Sequence, residues 1–172
     1  HKSFDDVFAM KPEQLQLGFL KVLRGTKIHR MAQQYGIVCH DKAPYEVLST
    51  PWLPYKDLVL LKGVEEMVEL YYNSRQYEKT LEEILKNYGS PFAFFVELAQ
   101  FYDRKGYSKI SHSRMARYEI LREFISEKDW ADPVYDQCMI FDLYARERLK
   151  SRPAFAADRS PYKEQLREYE KI

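Results

Sequence analysis

Chemistry in a chain of this kind begins with the residues able to hold an ion, an anion or a cofactor. Cys39-His40-Asp41 places three ligand types in a row. Neighbours on an extended segment point to opposite faces, so three consecutive side chains do not converge on one ion. We expect a surface loop there and no metal site. Gly25-Thr26 precedes a helical stretch carrying His29 and Arg30. A Gly-Thr loop feeding a helix can offer free amides to an anion. The plainer expectation is that Gly25 makes the turn and Thr26 caps the helix. Lys21 and Arg24 flank this loop. Arg104, Lys105, Lys109, Arg114, Arg117 and Arg122 form a basic series. Asp103, Glu119 and Glu123 interleave with it, so it reads as a solvated helix face. Tyr71, Tyr72, Tyr77 and Tyr88 cluster along two helices, where core packing accounts for them. No residue of the chain is assigned a catalytic role.

The elements that position these groups are mainly helical. Ser3-Phe4-Asp5-Asp6 opens a first short helix, with Ser3 as its cap, ending before Pro12. Leu15 to Leu20 alternates apolar and polar residues, the pattern of a strand. Thr26 caps a helix running to Tyr35, which Gly36 ends. Ile37–Cys39 and Tyr45–Thr50 read as extended segments of a small hairpin. Beyond Pro51 and Pro54, Leu58, Leu61, Val64, Met67, Val68 and Tyr71 recur at three and four over 55–74. Gly63 sits within this helix, a cost tolerated where another backbone comes close. Thr80 and Glu83 read as a capping box ahead of Leu81, Ile84 and Leu85. Ser90-Pro91, Asp132-Pro133 and Ser160-Pro161 share one start device, a capping side chain before a first-position proline. The helix after Pro91 is apolar almost all round, so we expect it at the centre, ended by Gly106. A further helix spans about 111–128. The last clear stripe is Val134, Cys138, Phe141, Ala145 and Leu149. The expected fold class is therefore mainly α, a multi-helix domain preceded by a small α/β portion.

Composition supports a folded chain. Of 172 residues, 45% are hydrophobic and 15% aromatic, enough for a dense core. Net charge is +1, so no global field draws the chain to nucleic acid or an anionic membrane. No apolar run approaches membrane-spanning length, and no signal peptide opens the sequence. Two cysteines far apart, Cys39 and Cys138, argue against a disulfide framework and for a reducing, cytoplasmic home.

The string Leu15-Gln16-Leu17-Gly18-Phe19-Leu20-Lys21-Val22-Leu23-Arg24-Gly25-Thr26 resembles the last strand and following loop of the barrel in radical S-adenosylmethionine enzymes. It is similar above all to the subfamily with an N-terminal cobalamin-binding domain, commonly labelled magnesium-protoporphyrin IX monomethyl ester oxidative cyclase-like. Tyr35-Gly36-Ile37-Val38, Pro44-Tyr45-Glu46-Val47-Leu48 and Glu69-Leu70-Tyr71-Tyr72-Asn73-Ser74 extend the likeness into a C-terminal domain of unknown function found after such barrels. The resemblance implies that residues 1–50 are the end of a barrel and residues 51–172 a C-terminal helical domain. It implies a parent oxidoreductase or transferase that uses a four-iron, four-sulfur cluster, S-adenosylmethionine and cobalamin. The cluster needs three cysteines in a CxxxCxxC loop, and Cys39 and Cys138 cannot supply it. No cofactor is therefore expected on this chain alone. In the intact barrel the resemblance places Lys21, Arg24, Gly25 and Thr26 at the cofactor-binding end. The expected partner is the rest of the same polypeptide, or a second copy pairing through strand 15–20. The contrasting expectation is a stand-alone helical interaction module whose first fifty residues merely look barrel-like.

Overall fold

A computed structural model describes residues 1–128, 130, 133–146 and 153–156. Among these, the order is α1 (Lys2–Ala9), α2 (Lys27–Met31), β1 (Val38–Cys39), β2 (Val47–Ser49), α3 (Tyr55–Met67), α4 (Glu78–Leu85), α5 (Pro91–Lys105), α6 (Arg114–Ser126) and α7 (Pro133–Arg146). The class is mainly α, with one two-stranded antiparallel sheet in which Val38 faces Ser49.

α5 is the centre. Ser90 accepts a hydrogen bond from the Ala93 amide at 3.2 Å, Pro91 occupies the first turn, and Gly106 closes the helix at φ +75°. Phe94, Phe95 and Leu98 are fully enclosed. A helix apolar all round finds partners on every side: α3 runs along it, and α1 lays Phe4 and Phe8 edge-on against Phe95. Gly63 of α3 meets Ala99 of α5, where a methyl group added to Gly63 would stand 3.1 Å from the Ala99 Cβ. The missing side chain sets how closely these two helices approach.

After Met67 the helix widens into a π-helical stretch, Val68–Asn73. Such wide turns re-aim the residues that follow. Tyr71 stays in the core, while Tyr72 and Asn73 reach outward to the N-terminal segment. The Tyr72 hydroxyl donates to the Pro12 carbonyl at 2.6 Å. The Asn73 side chain donates to the Leu15 carbonyl at 3.0 Å and accepts from the Leu15 amide at 2.9 Å. One amide side chain thus satisfies both backbone groups of Leu15, as a neighbouring strand would.

The core has two parts. The larger joins α3 to α7 with α1 and Leu15. The smaller gathers Val22, Ala32, Val47 and Leu58, with Phe19, Ile28 and Ile37 against them.

Several local expectations are corrected. Ser3 does not cap α1, because the chain is already helical at Lys2. Thr80 does not cap α4, because that helix starts two residues earlier, at Glu78. The first turns of α4 and α5 bear on carboxylates from elsewhere. Asp142 of α7 accepts from the amides of Lys79 and Thr80 at 3.0 and 2.8 Å. Asp5 of α1 accepts from the Phe92 amide at 2.9 Å and the Ser90 hydroxyl at 2.7 Å. The buried face of α7 is Tyr135, Met139, Asp142 and Leu143, not the stripe through Phe141, which is 59% exposed. Leu149, Asp132 and Ser160-Pro161 lie outside the described residues. The tyrosines form no single group: Tyr72 packs on Phe8, Tyr88 on Phe94 and Trp130, while Tyr71 and Tyr77 join Tyr102 and Tyr118.

Candidate functional site

Residues 15–20, expected as a strand, are extended but belong to no ladder. Burial alternates along them: Leu15 is buried, Leu17 and Phe19 half-buried, and Gln16, Gly18 and Leu20 exposed. Sheet-like bonding begins only at their end. The Val47 amide donates to the Leu20 carbonyl at 3.0 Å and the Val22 amide to the Tyr45 carbonyl at 2.8 Å, framing a bridge between Lys21 and Glu46. The pairing goes no further: no backbone hydrogen bond joins residues 16–19 to β2. Successive residues of an extended chain present their backbone groups to alternate edges. Leu17 and Phe19 therefore share the edge that Leu15 turns toward Asn73. Within the described residues, the backbone groups of Gln16 to Phe19 make no hydrogen bond to the protein.

Beside this open edge lies a groove of about 830 Å³. Its walls are α1 (Phe4, Val7), the segment 15–20, and α3 (Leu58, Leu61), with Val47, Leu53 and Phe92 between them. The lining is mostly apolar. Leu20 is 51% exposed and Val7 43%, unusual for residues at the mouth of an apolar cleft in a closed domain. The chemistry on offer is that of an interface: apolar surface plus a row of free amides and carbonyls. Its polar lining among the described residues includes His1, Ser3 and Asp57.

The loop after the segment is tied back on itself. The Arg24 guanidinium donates to the Asp41 carbonyl at 3.1 Å and lies 5.5 Å from the centre of the Tyr45 ring. Gly25 turns the chain at φ +82°. Thr26 caps α2 as expected, accepting from the His29 amide at 3.3 Å and donating to the Leu23 carbonyl at 2.6 Å. α2 has five residues, and the Thr26 hydroxyl caps its first turn. Lys21 stands exposed beside Glu46. The Lys62 ammonium bonds the Glu46 carboxylate and, foremost among the causes, lowers its pKa.

The Cys39-His40-Asp41 segment spends its backbone in the hairpin, with the His40 amide bonded to Glu46 at 3.0 Å. Both thiols are free, Cys39 on β1 and Cys138 on α7. Burial raises the Cys138 pKa, which keeps that thiol protonated and unreactive. Two thiols on separate elements do not make the three-thiolate donor set of a four-iron cluster, so no chemical step is derived through one. Three members of the basic series are paired: Arg104 with Glu127 at 2.6 Å, Lys105 with Glu123 and Glu127 at 2.7 Å, and Arg122 with Asp136 at 2.8 Å. These contacts, Glu123 first, raise the Lys105 pKa. The open edge and the Asn73 clasp are not separable in sequence. The signal that exists is the alternating apolar segment with too little strand nearby to pair it.

Fold and groove together define a mainly helical domain with an apolar groove on one side. The chain belongs to the family described as protein of unknown function DUF4080, whose pattern matches residues 33–172. No curated protein and no solved structure matches it. Among the described residues no helix is long and apolar enough to cross a membrane.

Proposed function

We propose that this chain is the C-terminal accessory part of a cobalamin-dependent radical S-adenosylmethionine enzyme of the cytoplasm, and that its groove seats the rest of that enzyme's barrel. The observation that carries the reading is the open edge of residues 16–19 beside the apolar groove. These are the residues whose sequence resembles the last strand of such a barrel. An extended strand from the same polypeptide would satisfy the free amides of Leu17 and Phe19, and its apolar side chains would fill the groove. Asn73, Tyr72 and Arg75 hold residues 12–15 in place for this, since the Arg75 guanidinium also bonds the Glu13 and Pro12 carbonyls at 3.2 and 3.3 Å. The helical body then acts as a rigid support for the barrel's closing strand. Lys21, Arg24, Gly25 and Thr26 sit just past that strand, at the end where barrels of this kind build their sites. Cluster, S-adenosylmethionine and cobalamin are held by the remainder of the enzyme, with no residue of this chain assigned to them beyond that loop.

The test joins the chain to its native upstream reading frame. We expect that frame to encode a CxxxCxxC loop, and hydrogen exchange at Leu17 and Phe19 to slow in the longer polypeptide relative to the chain alone. An upstream frame without the three cysteines, or equal exchange in both, overturns the reading. The chain alone, given iron, sulfide, reductant and S-adenosylmethionine, is expected to form no 5′-deoxyadenosine.

A further inference from the structure

One charged side chain stands in the apolar groove. Asp57 lies in the first turn of α3 and lines the groove with Leu53, Leu58, Leu60 and Leu61. His1 aside, it is the only ionisable side chain among the described residues of the lining. Its amide bonds the Pro54 carbonyl at 3.0 Å, but among the described residues its carboxylate has neither a hydrogen bond nor an ion pair. The helix itself offers no partner. Side chains three and four residues apart meet along a helix, and those positions are Leu53, Pro54, Leu60 and Leu61. Lys62, later on α3, is spent on Glu46. Asp57 is half-buried, so solvent still reaches it in the open groove.

A segment that fills the groove takes that solvent away. A carboxylate shut into an apolar cleft without a partner opposes whatever shuts it in. An extended segment paired to Leu17 and Phe19 has its backbone groups engaged there, which leaves its side chains to answer Asp57. A neutral donor makes a hydrogen bond but leaves the charge uncompensated, whereas a lysine or arginine supplies both. We infer that the segment seated in this groove carries a lysine or arginine that pairs with Asp57. The inference rests on the reading of the groove as the seat of the remainder of the same polypeptide, and it specifies that occupant: apolar on the inward face, with one cation set at the start of α3. The pair also fixes register, because a slip of one residue turns the cation to the other face of an extended segment.

The experiment uses the chain joined to its native upstream reading frame, with hydrogen exchange at the Leu17 and Phe19 amides as the measure of docking. Asp57→Asn is expected to quicken that exchange by about tenfold or more, because the cation is then enclosed without its partner. Asp57→Lys should quicken it further, by placing like charges together. In the chain alone, Asp57→Asn should change neither the exchange nor the helical circular dichroism, which separates lost docking from lost folding. Exchange equally slow in wild type and Asp57→Asn overturns the inference and leaves the reading of the groove standing. Exchange no slower in the longer polypeptide than in the chain alone overturns that reading, and the inference with it. A crystal structure of the longer polypeptide needs no variant. A lysine or arginine nitrogen within about 4 Å of the Asp57 carboxylate supports the pairing. A neutral segment there, or a second copy of the chain, overturns it.

Discussion

Asp142 of α7 caps α4 through Thr80. Its Oδ2 accepts from both the Thr80 amide at 2.8 Å and the Thr80 hydroxyl at 2.7 Å, across 62 residues of sequence. Both residues are buried, Thr80 completely. The first amides of a helix have no partner within it, and a carboxylate there is favoured by the helix dipole as well. Asp142→Ala leaves those amides and the hydroxyl buried and unpaired. We expect a loss of about 3 kcal/mol of stability, against about 1 kcal/mol for Thr80→Val, which keeps the amide bonds. Urea unfolding of the two single variants and the double variant reads both values. The losses should be non-additive, because the two side chains share one bond.

Asp5 does the same for α5 from the N-terminal side. Asp5→Ala removes bonds to the Phe92 amide and the Ser90 hydroxyl, leaving Ser90 to cap alone. A loss of about 1 kcal/mol is expected. Hydrogen exchange should quicken at Phe92. Exchange unchanged there would show that α1 is not held to α5 by this contact.

Gly63 is where α3 comes closest to α5. An alanine gains about 1 kcal/mol in helix propensity over glycine. Here its Cβ would stand 3.1 Å from the Ala99 Cβ, and neither atom can rotate away from its backbone. We expect Gly63→Ala to be destabilising by about 1 kcal/mol despite its better propensity. Gly63→Ala combined with Ala99→Gly should recover most of the loss. A Gly63→Ala variant that melts above wild type would mean the two helices part freely.

Phe95 touches both halves of the packing, edge-on to Phe4 and Phe8 of α1 and to Phe94. It is fully buried. Phe95→Ala should cost about 3–5 kcal/mol, from lost transfer energy plus the cavity left behind. An unchanged melting temperature would place the core elsewhere.

The buried tyrosines set the alkaline limit. Burial pushes the Tyr71 and Tyr77 phenols well above their ordinary value of 10.0, and Tyr102 up to about 12. Each holds its proton more tightly folded than unfolded. The folded form therefore binds more protons above the unfolded pKa, and stability falls as pH rises. We expect stability to be level below about pH 10 and to decline between 10 and 12. Beyond the absorbance of exposed tyrosines such as Tyr35 and Tyr55, the tyrosinate absorbance of the buried phenols should appear together with loss of helical circular dichroism. Phenols ionising ahead of unfolding would contradict their burial.

What the sequence determined by itself was set by neighbours three or four residues apart. The helical class, the small hairpin, the Thr26 and Ser90 caps, the Gly106 stop and the inward face of α3 follow from such spacing. Gly63 was legible too, because a glycine inside a strong helical pattern implies a close approach.

What only the tertiary structure decided was the choice among distant partners. Asp142 lay outside the expected stripe of α7, which ran through Phe141. It is buried because the start of α4 supplies its hydrogen bonds, and no local pattern encodes that. Asp5 was only part of the expected helix start Ser3-Phe4-Asp5-Asp6, and it bonds the start of α5. Leu15 to Leu20 showed the alternation of a strand. Alternation reports which side chains face inward, but a ladder requires a bonded neighbour, and the hairpin bonds this segment only at its end, at Leu20 and Val22. The Asn73 side chain stands in for that neighbour at Leu15 alone, reaching it through a π-helical turn that side-chain spacing does not announce. The open edge that remains is a property of the folded arrangement, because beyond Leu15 no described element bonds it.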